Sequence, residues 1–392
     1  MNTKYDAIVV GAGPAGSTAA RFMAKAGMQV LLIDRKTEIG HIKRCGEGIG
    51  LHNLKAIGMK PNDLWIRSNI NGALLYSPDG TSVKVTGYKG FVIERKVFDK
   101  YLAIEAAKAG ANVRAANDVM DLIMDGKKIS GVVVDHLGKK ESIYADLIIA
   151  ADGVDSVLAR KAGLNTTINL FDITSCAEYE MSNVEVPDAK KIAIYLGNEI
   201  APGGYAWVFP KGDSANVGLG VRASIARTAI DYLKNFVQKM NYNNGSIIEV
   251  NIGAVPVGGP PEKWVKDNFM VVGDAARQVN PIHGGGIGLS MSSAKIVGSV
   301  AVAAWKEKDY SEKNLHEYDK LWDKEFGKKM SKLLALRKFI EKLGDEEMNE
   351  LAALLNSEDV MELMAGKFVS FVKLMRKNPK MIKYVPALLK LA

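Results

Sequence analysis

The chain has 392 residues, 47% of them apolar, and a formal net charge of +8 that comes largely from lysine. This length accommodates two or three domains and this composition a real hydrophobic core, which excludes a disordered or fibrous protein. Two cysteines, Cys45 and Cys176, are too few for a disulfide scaffold and point to a reducing, cytoplasmic setting. The basic residues are dispersed rather than clustered with aromatics, so the excess reads as a lysine-rich solvated surface and no nucleic-acid partner is expected. No basic, apolar leader precedes the first strand and no uncharged apolar run reaches about 18 residues, so neither a signal peptide nor a bilayer span is expected. The five histidines are scattered, no His/Cys/Asp/Glu set has metal-ligand spacing, and no metal site is expected.

Residues 8–34 read as a strand, a glycine-rich turn, a helix and a second strand ending in an acid. Gly11, Gly13 and Gly16 have the G-x-G-x-x-G spacing, and Asp34 follows Gly16 by 18 residues. Gly11 permits the tight turn, Gly13 lets a pyrophosphate approach the backbone, and Gly16 lets helix pack on sheet. The helix N-terminus offers free N–H groups to phosphates, and Asp34 can accept hydrogen bonds from a ribose diol. The spacing therefore predicts a dinucleotide-binding βαβ unit.

A polar loop, Arg44-Cys45-Gly46-Glu47-Gly48, comes next. Residues 70–86 alternate around a Ser77-Pro78-Asp79-Gly80 turn, as antiparallel strands do, and 96–109 carries Phe98, Leu102, Ala106 and Ala109 on one helical stripe. Short strands are predicted over 129–134, 142–144 and 147–151, several more over 172–222, another over 247–257, and a buried one over 269–273. A small-residue helix follows over 288–305, and from Tyr310 the chain reads as helical. Asp152-Gly153 and Gly273-Asp274 each put an acid at the C-terminal end of a buried strand, where open α/β sheets bind ligands. Each aspartate taken singly also suits a helix N-cap or a turn. The segment 280–288 opens the small-residue helix with glycines that admit a flat ring close to the backbone. His283, within it, reads as a surface or packing residue.

Together, GxGxxG near the start, ADG near 150 and GDAAR near 275 resemble the FAD-containing oxidoreductases of the p-hydroxybenzoate hydroxylase type. The resemblance implies an α/β fold, α+β overall: a Rossmann-like FAD-binding domain with an inserted antiparallel sheet domain and a helical C-terminal region. The expected boundaries are 1–50, 88–162 and 266–305 for the FAD domain, 51–87 and 163–265 for the substrate domain, and 306–392 for the helical part. It also implies that FAD is held by Gly11, Gly13, Ala15, Gly16, Asp34, Arg35, Val119, Asp152 and Gly153. Arg44, Cys45, Gly46, Gly48, Arg95, Asp274, Gly285, Gly286 and Ile287 complete the implied set.

Tyr205, Trp207 and Phe209 recur at period two before Pro210, which puts the three aromatics on one face of a strand. Such a face suits a hydrocarbon substrate and equally a core stripe of a β-sheet. Y-x-W-x-F-P followed by Gly218-Leu219-Gly220 resembles the motif of the geranylgeranyl reductases, and the Arg44–Gly48 loop resembles their cysteine-bearing loop. This resemblance covers essentially the whole chain and is nearest to the archaeal enzymes that saturate the isoprenoid chains of membrane ether lipids. It implies an isoprenoid ether phospholipid substrate bound by Tyr205, Trp207, Phe209 and Pro210. Cys45 is the nearest candidate proton donor, and a packing or redox-sensitive thiol is the other reading of it. Flavin halogenases and hydroxylases share the fold; halogenases carry Trp-x-Trp-x-Ile-Pro on the comparable strand, where this chain has Tyr205 and Phe209. A non-catalytic lipid or flavin carrier is the alternative of another class. The single GxGxxG unit, assigned to FAD, leaves the electrons to a transient donor such as ferredoxin. Residues 366–392 combine apolar positions with Lys367, Lys373, Arg376, Lys377 and Lys380, a pattern that suits a helix lying on an anionic membrane surface and equally one packed on the enzyme.

Overall fold

The computed structural model describes residues 4–224, 228–368 and 372. The chain opens with β1 (Lys4–Val10), α1 (Pro14–Lys25) and β2 (Val30–Ile33), continuing to β3 (Gly48–Gly50), α2 (Leu51–Ala56), β4 (Ile66–Tyr76) and β5 (Ser82–Ile93). Then come α3 (Arg95–Lys108), β6 (Asn112–Arg114), β7 (Asn117–Asp125), β8 (Lys128–His136), β9 (Lys139–Ala150) and α4 (Val157–Lys161). A second β-rich stretch holds β10 (Ile173–Ser182), β11 (Lys191–Tyr195), β12 (Tyr205–Lys211), β13 (Ser214–Arg222), α5 (Ala229–Lys239) and β14 (Ser246–Pro256). After β15 (Val265–Lys266) and β16 (Phe269–Val271), α6 (Ile287–Glu307) begins a helical region ending in α11 (Ser357–Met364), which follows α7 (Glu312–Leu315), α8 (Glu317–Trp322), α9 (Lys328–Ile340) and α10 (Asp345–Leu354).

The first sheet has the order β15-β16-β9-β1-β2-β6, with the β7–β8 hairpin extending from β9. β1 is parallel to β2 and β9, and β9 to β16, so the strands are buried on both faces and read as continuous apolar runs. Ala7, Val9, Leu32, Ile149 and Met270 point to the layer that contains α1 and α6; Ile8, Val10, Leu31, Ile148 and Phe269 point to the layer of β8 and α4. α6 is long and apolar enough to cross a membrane by length and composition, with 67% of its most apolar window buried inside the molecule. It packs on α1, where a Cβ at Gly298 would lie 2.8 Å from Phe22.

The second sheet has the order β14-β10-β13-β12-β11-β4-β5-β3, antiparallel except for the β11–β4 pair. One face buries Ala206, Val208, Val217 and Leu219 under Leu233 and Phe236 of α5. The other carries Tyr205, Trp207 and Phe209. Thus the chain of the first sheet is interrupted twice by segments of the second sheet. Sheet pairing also takes β3 and the whole of β5 into the second sheet, across the expected boundaries at 50 and 88. The helical region straps the second sheet: Ser357 Oγ accepts from Thr86 N at 2.9 Å, and Asp345 Oδ1 accepts from Asn198 N at 2.9 Å. Phe368 and Val372 are buried with Leu336, Phe339 and Leu343, so these two apolar positions of 366–392 belong to a helical core. Residues 369–371 and 373–392 lie outside the described residues.

Candidate functional site

Three glycine turns from distant parts of the chain meet at the C-terminal ends of β1, β9 and β16. Gly11, at φ +105°, packs so closely on the end of β9 that a Cβ would stand 2.3 Å from the Ala151 carbonyl oxygen. A Cβ at Gly16 would fall 1.9 Å from the Gly11 oxygen, whereas one at Gly13 would meet nothing within 4 Å. Gly11 and Gly16 are therefore demanded by packing, and Gly13 borders open space where a ligand can approach the start of α1. Gly273, at φ +74°, brings the third turn against Ala15, 2.8 Å from a would-be Cβ. A Cβ at Gly286 would stand 2.9 Å from Asp274 Oδ1, which joins this turn to the start of α6 with Gly285 and Ile287. The resulting cradle suits an extended dinucleotide with phosphates at α1 and a flat ring at α6.

The acids of the cradle are held differently. Asp34 Oδ2 accepts from Ala12 N at 2.8 Å and Oδ1 from Lys36 N at 2.9 Å, leaving each oxygen capacity for a diol. Asp152 Oδ2 accepts from Leu158 N at 3.0 Å, so Asp152 does tie down the start of α4, while its Oδ1 is buried without a partner. Burial pushes the Asp274 carboxyl up, and the Arg95 guanidinium partly offsets this. Arg95 opens α3 and is bidentate to Asp99 at 2.8 Å on both arms. Arg35 is exposed and pairs with Asp155 at 3.5 Å. Val119 packs half-buried against the β8–β9 layer, and the stem of Arg44 lies over Gly253 of β14.

The aromatic row runs down from this cradle. Tyr205 donates its hydroxyl to the His283 carbonyl at 2.6 Å, fixing the top of the row to the turn that opens α6. Tyr205, Trp207 and Phe209 follow one another at centroid spacings of 5.8 and 6.3 Å. Gly218 and Gly220 on β13 stand opposite Trp207 and Tyr205, and a Cβ at Gly218 would be 2.5 Å from the indole Cζ2. The G-x-G after the aromatic motif thus clears a trough across which the indole lies. Trp207 and Phe209 are 8% and 9% exposed, Phe209 lying against Gly46 and Gly48, so the lower row is a packed layer beneath the cysteine loop. Pro210 points to the opposite face with Ala206 and Val208, because side chains alternate along a strand; it is not part of the row. Cys45 sits half-buried above the row, its Sγ accepting from Glu47 N at 3.2 Å. Burial pushes its thiol up, with Arg95 opposing, so it is a neutral thiol at neutral pH.

Beneath the loop lies a feature that the sequence reading missed. Lys43, Glu47, Glu178, Glu180 and Lys211 form a buried ion cluster, with Lys43 and Glu47 side chains 0% exposed. Its signal in the sequence was the polar period-two face Cys176, Glu178, Glu180 on a strand that sits mid-sheet. Among the described residues no group of three or more His, Cys, Asp or Glu could hold a metal ion.

The profile of the geranylgeranyl reductase catalytic domain matches residues 172–255, and that of pyridine nucleotide-disulphide oxidoreductases matches residues 5–198. The chain is 45% identical to a digeranylgeranylglycerophospholipid reductase of Methanocaldococcus jannaschii, covering 99% of each chain. It is 42% identical to one of Methanococcus aeolicus, with 98% of each covered. A geranylgeranyl bacteriochlorophyll reductase-like protein of Thermoplasma acidophilum superposes with a TM-score of 0.90 at 33% identity, covering 97% of this chain and 99% of that one. The flavin-dependent brominase Bmp2 superposes with a TM-score of 0.70 at 18% identity, covering 93% and 94%, a likeness of fold alone.

Proposed function

The chain belongs to the digeranylgeranylglycerophospholipid reductase family, and on that premise we propose that it is an FAD-dependent reductase that saturates the C=C bonds of geranylgeranyl chains in isoprenoid ether phospholipids. The observation that carries this reading is the Tyr205–His283 contact, which runs the aromatic row out of the cradle's ring end. When bound, reduced FAD supplies a hydride to one alkene carbon; the other carbon needs a proton.

The Gly11–Gly16 turn and the start of α1 would hold the pyrophosphate, and Asp34 would accept from the adenosine diol, with Arg35 and Val119 completing that end. Asp152, Gly153 and Asp274 back the middle of the cofactor. Gly285, Gly286 and Ile287, with the N-terminus of α6, would stabilise charge on the bound ring, and Arg95, Arg44, Gly46 and Gly48 complete the set that would hold it. Tyr205, at the ring end of the row, aligns the apolar chain and excludes water, with Trp207 packed behind it as an apolar support; this supplies orientation for an alkene that no carbonyl activates. Cys45 faces the junction as a neutral thiol able to give a proton. The electrons come from ferredoxin or another transient donor, as the single GxGxxG unit is used by FAD. The protein works in the cytoplasm and meets its lipid at the membrane surface.

Anaerobic mixing of the reduced holoprotein with a digeranylgeranyl phospholipid tests the reaction. Reoxidation of the flavin by the lipid is expected; reoxidation by oxygen alone would favour a halogenase, a hydroxylase or a carrier. Rapid bleaching of the oxidised protein by micromolar NADH or NADPH would replace the transient donor with a nicotinamide site.

A further inference from the structure

We propose that the proton consumed in this reduction is stored on Glu178, held as an uncharged carboxylic acid beneath the aromatic row and passed to the alkene through the overlying thiols. The proposal rests on the reaction assigned above.

The charge balance of the cluster is the first argument. Lys43 Nζ lies 3.1 Å from Glu47 Oε2, 3.3 Å from Glu178 Oε1 and 3.1 Å from Glu180 Oε2. Lys211 Nζ lies 2.8 Å from Glu47 Oε2, 2.9 Å from Glu94 Oε2 and 2.7 Å from Glu180 Oε2. Two ammonium groups thus face four carboxyls, of which Glu47 and Glu178 have side chains only 0% and 4% exposed while Glu180 and Glu94 lie at the wetter edge. A buried uncompensated charge costs so much that a carboxyl in such a site retains its proton instead.

Hydrogen bonding decides which one. Glu47 accepts from Lys43, from Asn216 Nδ2 at 2.7 Å and from Arg95 N at 2.7 Å. Glu180 accepts from both lysines and from Ser214 Oγ, and they hold it down at about 2 against burial. Glu178 accepts from Trp207 Nε1 at 3.0 Å, its Oε1 has the Lys43 ammonium alone at 3.3 Å among the described residues, and Lys211, which reaches the other three carboxyls, does not reach it. Burial and Glu47 push it up to about 8, with Lys43 opposing. From β14, the neighbouring Glu249 is already paired with Lys96 at 2.8 Å. Glu178 is therefore where the cluster keeps its proton.

Its position matches the task. Cys176 lies two residues away on the same face of β10, and Cys45 precedes Gly46, which rests on the Trp207 and Phe209 rings; burial pushes both thiols up. A neutral thiol can give its proton upward and take one from below. In the step, the alkene π pair bonds to the thiol's proton while the other carbon receives the hydride. The thiol is refilled from Glu178, whose carboxylate then rests against Lys43 until water reloads it. Glu178 acts through the thiol and is a proton store.

The test uses the holoprotein and has two readouts. An infrared pH titration of the wild type should show a carboxylic-acid C=O band at neutral pH that disappears as pH rises past about 8 and is missing in Glu178→Gln. Stopped-flow reoxidation of the reduced flavin by digeranylgeranyl phospholipid in micelles should fall tenfold per pH unit above that point. Glu178→Gln should be about 10²–10⁴-fold slower with that inflection lost, and Glu178→Asp should recover a shifted inflection. Absence of the band in the wild type, which needs no variant to fold, overturns the proposal. So does a Glu178→Gln protein that keeps the wild-type rate and profile. A wild type whose band titrates but whose flavin ignores the lipid overturns the assigned reaction and leaves the stored proton standing.

Discussion

Trp207 gives its indole N–H to Glu178 across the bare backbone of Gly218, at 3.0 Å, which makes the apolar row and the ion cluster beneath it one unit. A change in either should be felt in the other. Trp207→Phe keeps an aromatic ring and removes the donor, leaving Glu178 without its hydrogen bond. Loss of about 1–3 kcal/mol of stability is expected in chemical denaturation, with the FAD content of the purified protein unchanged. Loss of flavin instead would mean that the row supports the cofactor domain.

Gly218→Ala adds a methyl group 2.5 Å from the indole Cζ2, a ring that cannot swing away from the sheet. Overpacking of this kind costs about 1–3 kcal/mol. The variant should show altered tryptophan near-ultraviolet dichroism and slower lipid-dependent reoxidation of flavin. Spectra and rates identical to the wild type would show that the trough has slack.

The cradle makes a graded prediction. Gly16→Ala puts its Cβ 1.9 Å from a backbone oxygen, and the purified protein should be colourless. Asp34→Ala spares the backbone geometry and removes the diol acceptor. FAD should bind the apoprotein roughly 1–3 kcal/mol more weakly, about 5- to 150-fold in Kd. An unchanged Kd in flavin titration would remove Asp34 from the adenosine end.

These glycines were legible in the sequence because each answers a local steric demand within one βαβ unit. The aromatic row was legible through its period of two, although the same alternation excludes Pro210, which resemblance alone had placed there. Of the ion cluster, only the polar alternation Cys176, Glu178, Glu180 was legible, and not what it pairs with. Lys43 and Glu47 sit in a loop, Glu178 and Glu180 on β10 and Lys211 at the end of β12, and only the folded sheet order brings them together. Taken separately, Glu178, Glu180 and Lys211 look like charges on a solvated strand face, and Lys43 and Glu47 like ordinary loop charges.

Stability should depend on pH with opposite signs at the two glutamates. Glu178 moves from an ordinary 4.5 to about 8, so the folded state binds more protons between those values and is destabilised as pH rises through them. Glu180 moves down to about 2, so its contribution is present above 4.5 and is lost as pH falls towards 2. Melting temperatures should therefore decline from mildly acid to mildly alkaline pH, and Glu178→Gln should flatten that limb while leaving the acid limb. A variant with the wild-type slope would place the titrating group elsewhere.

Membrane docking by the basic C-terminal stretch is best tested by cutting after Val372, since Phe368 and Val372 are buried in the helical core. Co-sedimentation with anionic vesicles should fall on removal of 373–392, and salt should weaken binding of the full chain. Equal binding by both proteins would move the docking element to another surface.

The double interruption of the parallel sheet also sets a schedule. The phosphate-binding turn leaves the ribosome first, but its packing partners Gly273 and α6 arrive only after the whole second sheet has been made. At about 5–20 residues per second, the nascent chain must wait many seconds with β1 and β2 unshielded on one side. Cofactor capture is therefore a late event in biogenesis, since the cradle is complete only once Gly273 and the start of α6 have been made.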